Sequence, residues 1–259
     1  MSATQHFAGP SSLPPVEVDC LDFLIRASSE ASYPKSASLV AKGAPSEHLI
    51  LVTEGLLVTE CGGSSGELVP TEFYANGQLV TLTRLPLAQA PFQLRAVLPS
   101  ACVLVPCAAL LKACRSWPIL AVSLGQIAAY RQLQEHLQQA QSRALPLESR
   151  ILAHLLRFAR PVPGQSPTSQ LFSYRVPQTL LAGYFGVSRE EVSRQFKKLV
   201  DQHVVERTAD GYLIDRLEGR KYPAFAVGGA VEEYLTPALL SRGGRPPVPE
   251  STAAKSADD

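Results

Sequence analysis

The chain has 259 residues, 46% of them hydrophobic, and its 24 Lys and Arg against 23 Asp and Glu leave a formal net charge of +1. That is enough apolar material for one large or two ordinary cores, and it gives no global basic signal for nucleic acid, so any contact with nucleic acid has to come from a local arrangement. The longest apolar run, Ala96 to Leu111, is broken by Pro99 and Pro106 and is too short to span a bilayer; no charged segment precedes an apolar one at the start, so no signal peptide is expected; and five scattered cysteines, an odd number, fit a reducing cytoplasm better than a disulfide framework.

Residues 1–16 are rich in Pro and Ser and are expected to be disordered. Cys20, Leu21, Phe23 and Leu24 suit one short amphipathic helix ending near Ser28. From Tyr33 the texture changes to short apolar runs: Leu39-Val40, Leu49 to Val52, Leu56 to Val58, Leu79 to Leu82, Gln93 to Leu98 and Cys102 to Val105. These read as strands. Turn signals at Gly43-Ala44-Pro45, Gly62 to Gly66 and Asn76-Gly77 separate them. Many short strands with regular punctuation indicate a jelly roll or barrel over residues 17–112.

Leu110 to Ala144 then reads as helix with a break at Pro118. Tyr130, Leu133, Leu137, Ala140 and Ala144 alternate spacings of three and four, an a/d seam flanked by Gln and Arg. Packing on its own domain would explain such a seam, but its position and polar flanks favour a dimerisation helix, over 113–145. Leu145 to Glu148 is a hinge. Ser149 to Arg160 is a helix with Ile151, Leu152, Leu155 and Phe158 on its core face. Pro161 to Gln170 is a loop, and Phe172 to Val176 a strand.

Two short helices follow, Gln178 to Phe185 and one from Ser188 to about Val200, joined by the turn Gly186-Val187. Ser188 with Glu191 three residues on is a capping box, each side chain satisfying an orphan backbone donor. Val192, Phe196 and Leu199 recur at i, i+4 and i+7 and form a buried stripe. The opposite face presents Arg189, Glu190, Ser193, Arg194 and Lys197, a set suited to base edges in a major groove. Glu190 and Arg194 are also spaced for a plain surface ion pair, and Ser193 for a solvated filler. Arg189 and Lys197 fit phosphate as well as bases. From Arg175 to Lys221 there are nine Lys and Arg against seven Asp and Glu, so the motif and not the charge carries this reading. Val204 to Thr208 and Tyr212 to Asp215 are two strands joined around Asp210-Gly211, a hairpin signal. Residues 223–259 are rich in Gly, Pro and Ala and expected to be mostly disordered, with a helical turn or two within Glu232 to Leu240.

The run Gly186-Val187-Ser188-Arg189-Glu190-Glu191-Val192-Ser193-Arg194, with Leu199, Asp201, Gln202 and Val204 after it, resembles the helix-turn-helix of the Crp/Fnr family of bacterial transcription regulators. Tyr33-Pro34, Leu39-Val40, Gly43, Glu47, Leu49 and Gly55 fall where that family's sensor domain opens. The resemblance implies an α+β chain: an N-terminal jelly-roll β-barrel like a cyclic-nucleotide-binding domain, a long dimerisation helix, and a C-terminal winged helix-turn-helix over 146–222. It implies double-stranded DNA, a second copy of the chain and RNA polymerase as partners, no membrane, and no enzymatic activity. The spacing of Glu190, Ser193 and Arg194 is similar to the Fnr branch, which implies TTGAT-like half-sites in a palindrome.

The family's sensor chemistries are not expected here. Cyclic-nucleotide binders place a Gly-Glu pair after a strand and an Arg-Ser or Arg-Thr pair ten residues on, for the ribose and the phosphate. Aligning on Asn76-Gly77 puts Thr81-Leu82 and Phe92-Gln93 there, so cAMP is not expected. Arg84 and Arg95 are either anion ligands or surface arginines. An Fe–S cluster needs thiolates gathered near the N-terminus, where only Cys20 lies. Cys102, Cys107 and Cys114 read as buried hydrophobes or as a redox switch. The five histidines, His6, His48, His136, His154 and His203, are isolated, so no metal site is expected. A cupin-like enzyme would need clustered His and Glu ligands, which the sequence lacks. A β domain that serves only dimerisation or protein contact, with no effector, is the alternative.

Overall fold

The computed structural model describes residues 17–45, 47–63, 66–80, 89–162, 170–209, 211–219 and 221–222. The expected disorder of 1–16 and 223–259, the helical turns at 232–240, most of the loop 161–170, and Thr81, Leu82 and Arg84 lie outside them.

Eight strands make two four-stranded antiparallel sheets. One has the order β1-β8-β3-β6, built from Ser29–Tyr33, Ser100–Pro106, His48–Glu54 and Leu79–Val80; the other has the order β2-β7-β4-β5, built from Ser38–Val40, Gln93–Ala96, Leu56–Gly62 and Leu68–Ala75. The inner faces close on Ile50, Val52, Leu57, Tyr74, Val80, Phe92, Leu94 and Cys102, all buried. The two sheets stay separate, the double-sheet form of the jelly roll expected from the sequence.

Both sheets are also covered on the outside, which explains why β3 and β4 read as unbroken apolar runs rather than alternating ones. On the first sheet, Leu49, Leu51, Leu79 and Val105 pack outward against Cys20 and Leu24 of α1 (Val18–Ala27), Leu110 and Ala113 of α2 (Cys107–Ser116) and Leu120. On the second, Leu56, Val58, Phe73 and Ala75 point outward into the core of the C-terminal unit.

Two strands escape a pattern-based reading. β1 is Ser-Glu-Ala-Ser-Tyr, too polar for its own signal, and is recruited by β8 along its whole length. β5 contains Pro70, which argues against a strand interior; the register with β4 steps from Thr59↔Glu72 to Glu60↔Pro70, so the proline sits at a bulge where its missing N–H costs no ladder bond.

α2 and the following α3 (Pro118–Ala144) meet at a 119° bend. Trp117 precedes proline and leaves the helical region, which ends α2. At 27 residues α3 is about 40 Å long. Among the described residues no single helix is long and apolar enough to cross a membrane. The hinge is shorter than expected: only Leu145 and Pro146 separate α3 from α4 (Leu147–Arg157), because Pro146 is already the N-cap. The strand expected at 172–176 lies at Gln170–Tyr174 as β10, paired with Arg160–Pro161 (β9) on one side and the wing on the other.

Gly55 turns β3 into β4 at φ +86°, and a Cβ there would lie 2.3 Å from the Pro99 carbonyl oxygen and 2.4 Å from Ser100 Oγ. Gly55→Ala is therefore expected to cost about 1–3 kcal/mol from the overlap alone, read as a lower midpoint in urea unfolding of the full chain. A variant as stable as the parent would contradict this packing.

Candidate nucleic-acid interface

The C-terminal unit is assembled to bury one stripe of one helix. α6 (Arg189–Asp201) carries Val192, Phe196 and Leu199, each fully buried. They pack on Ile151, Leu152 and Leu155 of α4, Leu181 of α5 (Gln178–Phe185), and Val204, Val205, Tyr212 and Ile214 of the wing. The Phe196 and Tyr212 rings stack at 5.0 Å. The wing is β11 (Val205–Arg207) paired with β12 (Gly211–Asp215), and the Gly211 N–H donates to Thr208 Oγ1 at 3.0 Å to close the turn. A short helix, α7 (Arg216–Gly219), follows; it has no periodic signal in four residues.

The turn between α5 and α6 forms for local reasons. Gly186 ends α5 in the left-handed region at φ +66°, and the Val187 N–H donates back to the Ala182 carbonyl. Arg150 of α4 donates to the Phe185 carbonyl at 3.2 Å and so satisfies a free end of α5. Ser188 then caps α6, accepting from the Glu191 N–H at 3.1 Å. The reciprocal half of the expected capping box is replaced: the Glu191 carboxylate accepts from Gln195 Nε2 at 2.8 Å and pairs with Arg194. Lys198 on the far side of α6 reaches Glu148 of α4 at 2.8 Å, which holds the Glu148 carboxyl below its usual range.

Burial of the stripe puts the five residues singled out from the sequence on the outside. Arg189, Glu190, Ser193, Arg194 and Lys197 are all exposed and line one open depression together with Gln178, Val200 and Arg207. The structure thus gathers three elements at one place: the start of α5, the outer face of α6 and the first wing strand. Among these lining residues Arg189, Arg194, Lys197 and Arg207 stand against the single carboxylate Glu190. The face is positive although the chain is nearly neutral. Gln178 and Arg207 were not legible as part of it, since only the tertiary fold brings the first residue of α5 and the wing strand to α6. The ion pair that spacing suggested between Glu190 and Arg194 is made instead by Glu191 and Arg194. With the Arg194 side chain 73% exposed, that pair is worth at most about 1 kcal/mol and is readily exchanged.

The other candidate residues lie elsewhere. Phe92 is buried between the sheets, whereas Arg95 faces the opposite side of β7 and is held by Glu60 in a two-point contact at 2.9 and 2.5 Å, which raises its pKa. Cys20 and Cys102 are buried and Cys107 and Cys114 half-buried; burial pushes all four thiols up, Cys102 to about 11, away from thiolate reactivity.

Residues 149–219 match the family described as the Crp-like helix-turn-helix domain. The C-terminal unit is a Crp-like helix-turn-helix domain. Solved structures similar to it include FixK2 of Bradyrhizobium japonicum (18% identity, 75% of this chain and 96% of that one, TM-score 0.64), the c-di-GMP-responsive global regulator CLP of Xanthomonas campestris (17%, 76% and 99%, 0.59) and a CRP/FNR-family transcriptional regulator of Thermus thermophilus (16%, 74% and 97%, 0.55). At these identities the likeness is one of fold. No sequence among the curated proteins matches the chain.

Because the cap rests on one side-chain oxygen, Ser188→Ala is expected to lower stability by about 0.5–2 kcal/mol while Ser188→Gly costs only a few tenths. Thermal unfolding of the two variants checks this; equal losses would show that the hydroxyl is not the cap.

Proposed function

We propose that the protein is a homodimeric transcription regulator that reads a palindromic, TTGAT-like operator through α6 and is not gated by cyclic nucleotide. The observation that carries this reading is the shared exposed face of Gln178, Arg189, Glu190, Ser193, Arg194, Lys197 and Arg207. Arg194 donates to guanine O6 and N7, Glu190 accepts from a cytosine N4 amine, and Ser193 meets the neighbouring base or phosphate. Arg189, Lys197 and Arg207 take phosphates and set the register of the helix on the duplex.

A dimer is supported by the unpartnered face of α3. Val122 and Leu133 are 51% and 37% exposed, and Ala129, Ala140 and Ala144 are exposed along the same seam. Two copies related by a two-fold axis match a palindrome whose half-sites lie about 34–36 Å apart. The absence of cyclic-nucleotide gating is supported by Phe92, buried where the family's binding members carry a phosphate-binding arginine, and by Arg95, which is neutralised by Glu60 on the other face of the sheet. The packed apolar interior of the sandwich favours a second reading, in which the β domain serves dimerisation or protein contact with no effector. RNA polymerase as a partner, a cytoplasmic location and the absence of enzymatic activity belong to the same proposal.

Arg194→Ala is expected to cost about 1–3 kcal/mol on the specific site and to relax discrimination at one position of each half-site. Equal loss on operator and random duplex, in competition binding, would contradict the base-reading role. Leu133→Glu is expected to shift the full chain from dimer to monomer in sedimentation; an unchanged dimer would place the interface elsewhere.

A further inference from the structure

The two domains meet around a histidine that nothing in the DNA-binding reading uses. His154 lies on α4 one helical turn after Arg150 and Ile151, and α4 lies against the outer face of the sheet that contains β5. The imidazole is buried, and neither Nδ1 nor Nε2 has a hydrogen-bond partner among the described residues. Four rings surround it: Phe73 of β5 at 5.0 Å, Tyr184 and Phe185 of α5 at 5.1 and 5.9 Å, and Phe158 at 5.2 Å. Phe73 comes from one domain and the other three from the other.

Around this box the junction is fastened at its rim. Arg157 pairs with Glu72 of β5 at 3.1 Å, and Arg160 donates to the Asn76 carbonyl. On α5, Gly183 comes so close to the Pro70 bulge that a Cβ would stand 3.0 Å from the ring. Only Leu145 and Pro146 join α3 to α4, so little chain would have to reorganise for the domain to move.

We propose that this junction is an acid-released latch: a neutral His154 allows the DNA-binding domain to dock on the sheet, and protonation of His154 frees it. An imidazolium here would carry charge into a ring-lined site with no acceptor on either nitrogen. The charged and titratable groups that face the box are Arg150 and Arg157 from α4, Glu72 from β5, Tyr184 from α5 and Glu135 from α3. Arg157 adds repulsion, and its pairing with Glu72 leaves that carboxylate already compensated. Burial pulls the docked His154 down to about 3, with Arg157 adding to it, whereas an undocked one titrates near about 6.5. Well above pH 6.5 neither state holds a proton on His154, so docking does not depend on pH there. It weakens as pH falls from there toward 3. Between pH 7.5 and 5.5 the undocked-to-docked ratio is expected to rise about tenfold.

The latch depends on the DNA-binding reading only for its consequence, the separation of the two recognition helices in a dimer. It is tested without DNA. Spin labels on non-canonical residues replacing Lys35 and Asp201 in the full chain, with labelled chains diluted into unlabelled ones, report the distance between domains within one chain. The expected result is a single distance at pH 7.5 and a second, growing population by pH 5.5. That second population should be absent in His154→Phe and in His154→Leu, which cannot protonate. Gly183→Leu, which forces α5 off Pro70, should already show it at pH 7.5. A pH response shared by the parent and both His154 variants would overturn the proposal. So would a parent that stays at one distance down to pH 5.5.

Discussion

Much of this molecule depends on hiding three side chains of α6. Val192, Phe196 and Leu199 are each fully buried, and removing each from water stabilises the unit by about 1.5–3 kcal/mol. A stripe of that width needs walls on several sides, and α4, α5 and the wing supply them. The geometry of a helix then leaves no choice about the other face. With residues 192, 196 and 199 inside, residues 189, 190, 193, 194 and 197 must be outside, and the wing that closes the core brings Arg207 beside them. The positive face is a consequence of the packing, obtained in a chain with almost no net charge.

The same logic applied to the β domain explains how the halves are joined. The outer face of the second sheet is apolar at Leu56, Val58, Phe73 and Ala75, and the C-terminal unit covers it. The two domains therefore share a core and do not merely hang from a common helix. Glu72 stands at the centre of that union: it accepts from Tyr74 Oη at 2.5 Å, where the Tyr74 ring belongs to the interior of the sandwich, and it pairs with Arg157 of α4. Glu72 thus touches both the interior of the sandwich and the C-terminal unit.

The helix-turn-helix was legible almost to the residue because its signals are local. Gly186 needs a left-handed conformation, Ser188 a helix to cap, and the spacing of 192, 196 and 199 a buried side. The apolar strands were legible as runs. β1 and β5 were not, because Ser-Glu-Ala-Ser-Tyr has no hydrophobic signature and Pro70 contradicts a strand unless the bulge in its partner's register is known. The partner of Arg194 was misjudged for a related reason: spacing permits both Glu190 and Glu191, and Glu191 is left available because its carboxylate does not turn back to the cap. Gln178, Arg207 and the role of His154 required tertiary contacts; His154 in sequence is one isolated histidine on an apolar helix face.

The proposed function stands or falls on selective recognition of a palindrome by the exposed face of α6. The most direct measurement is fluorescence anisotropy of the full, ligand-free chain on a TTGAT–ATCAA palindrome and on a scrambled duplex of the same composition, at physiological salt. Binding to the palindrome at least a thousandfold tighter than to the scrambled duplex, in the range usual for specific regulators, is the predicted result. Equal affinity for the two duplexes would contradict the half-site and, with it, the assignment of Glu190, Ser193 and Arg194 to base reading.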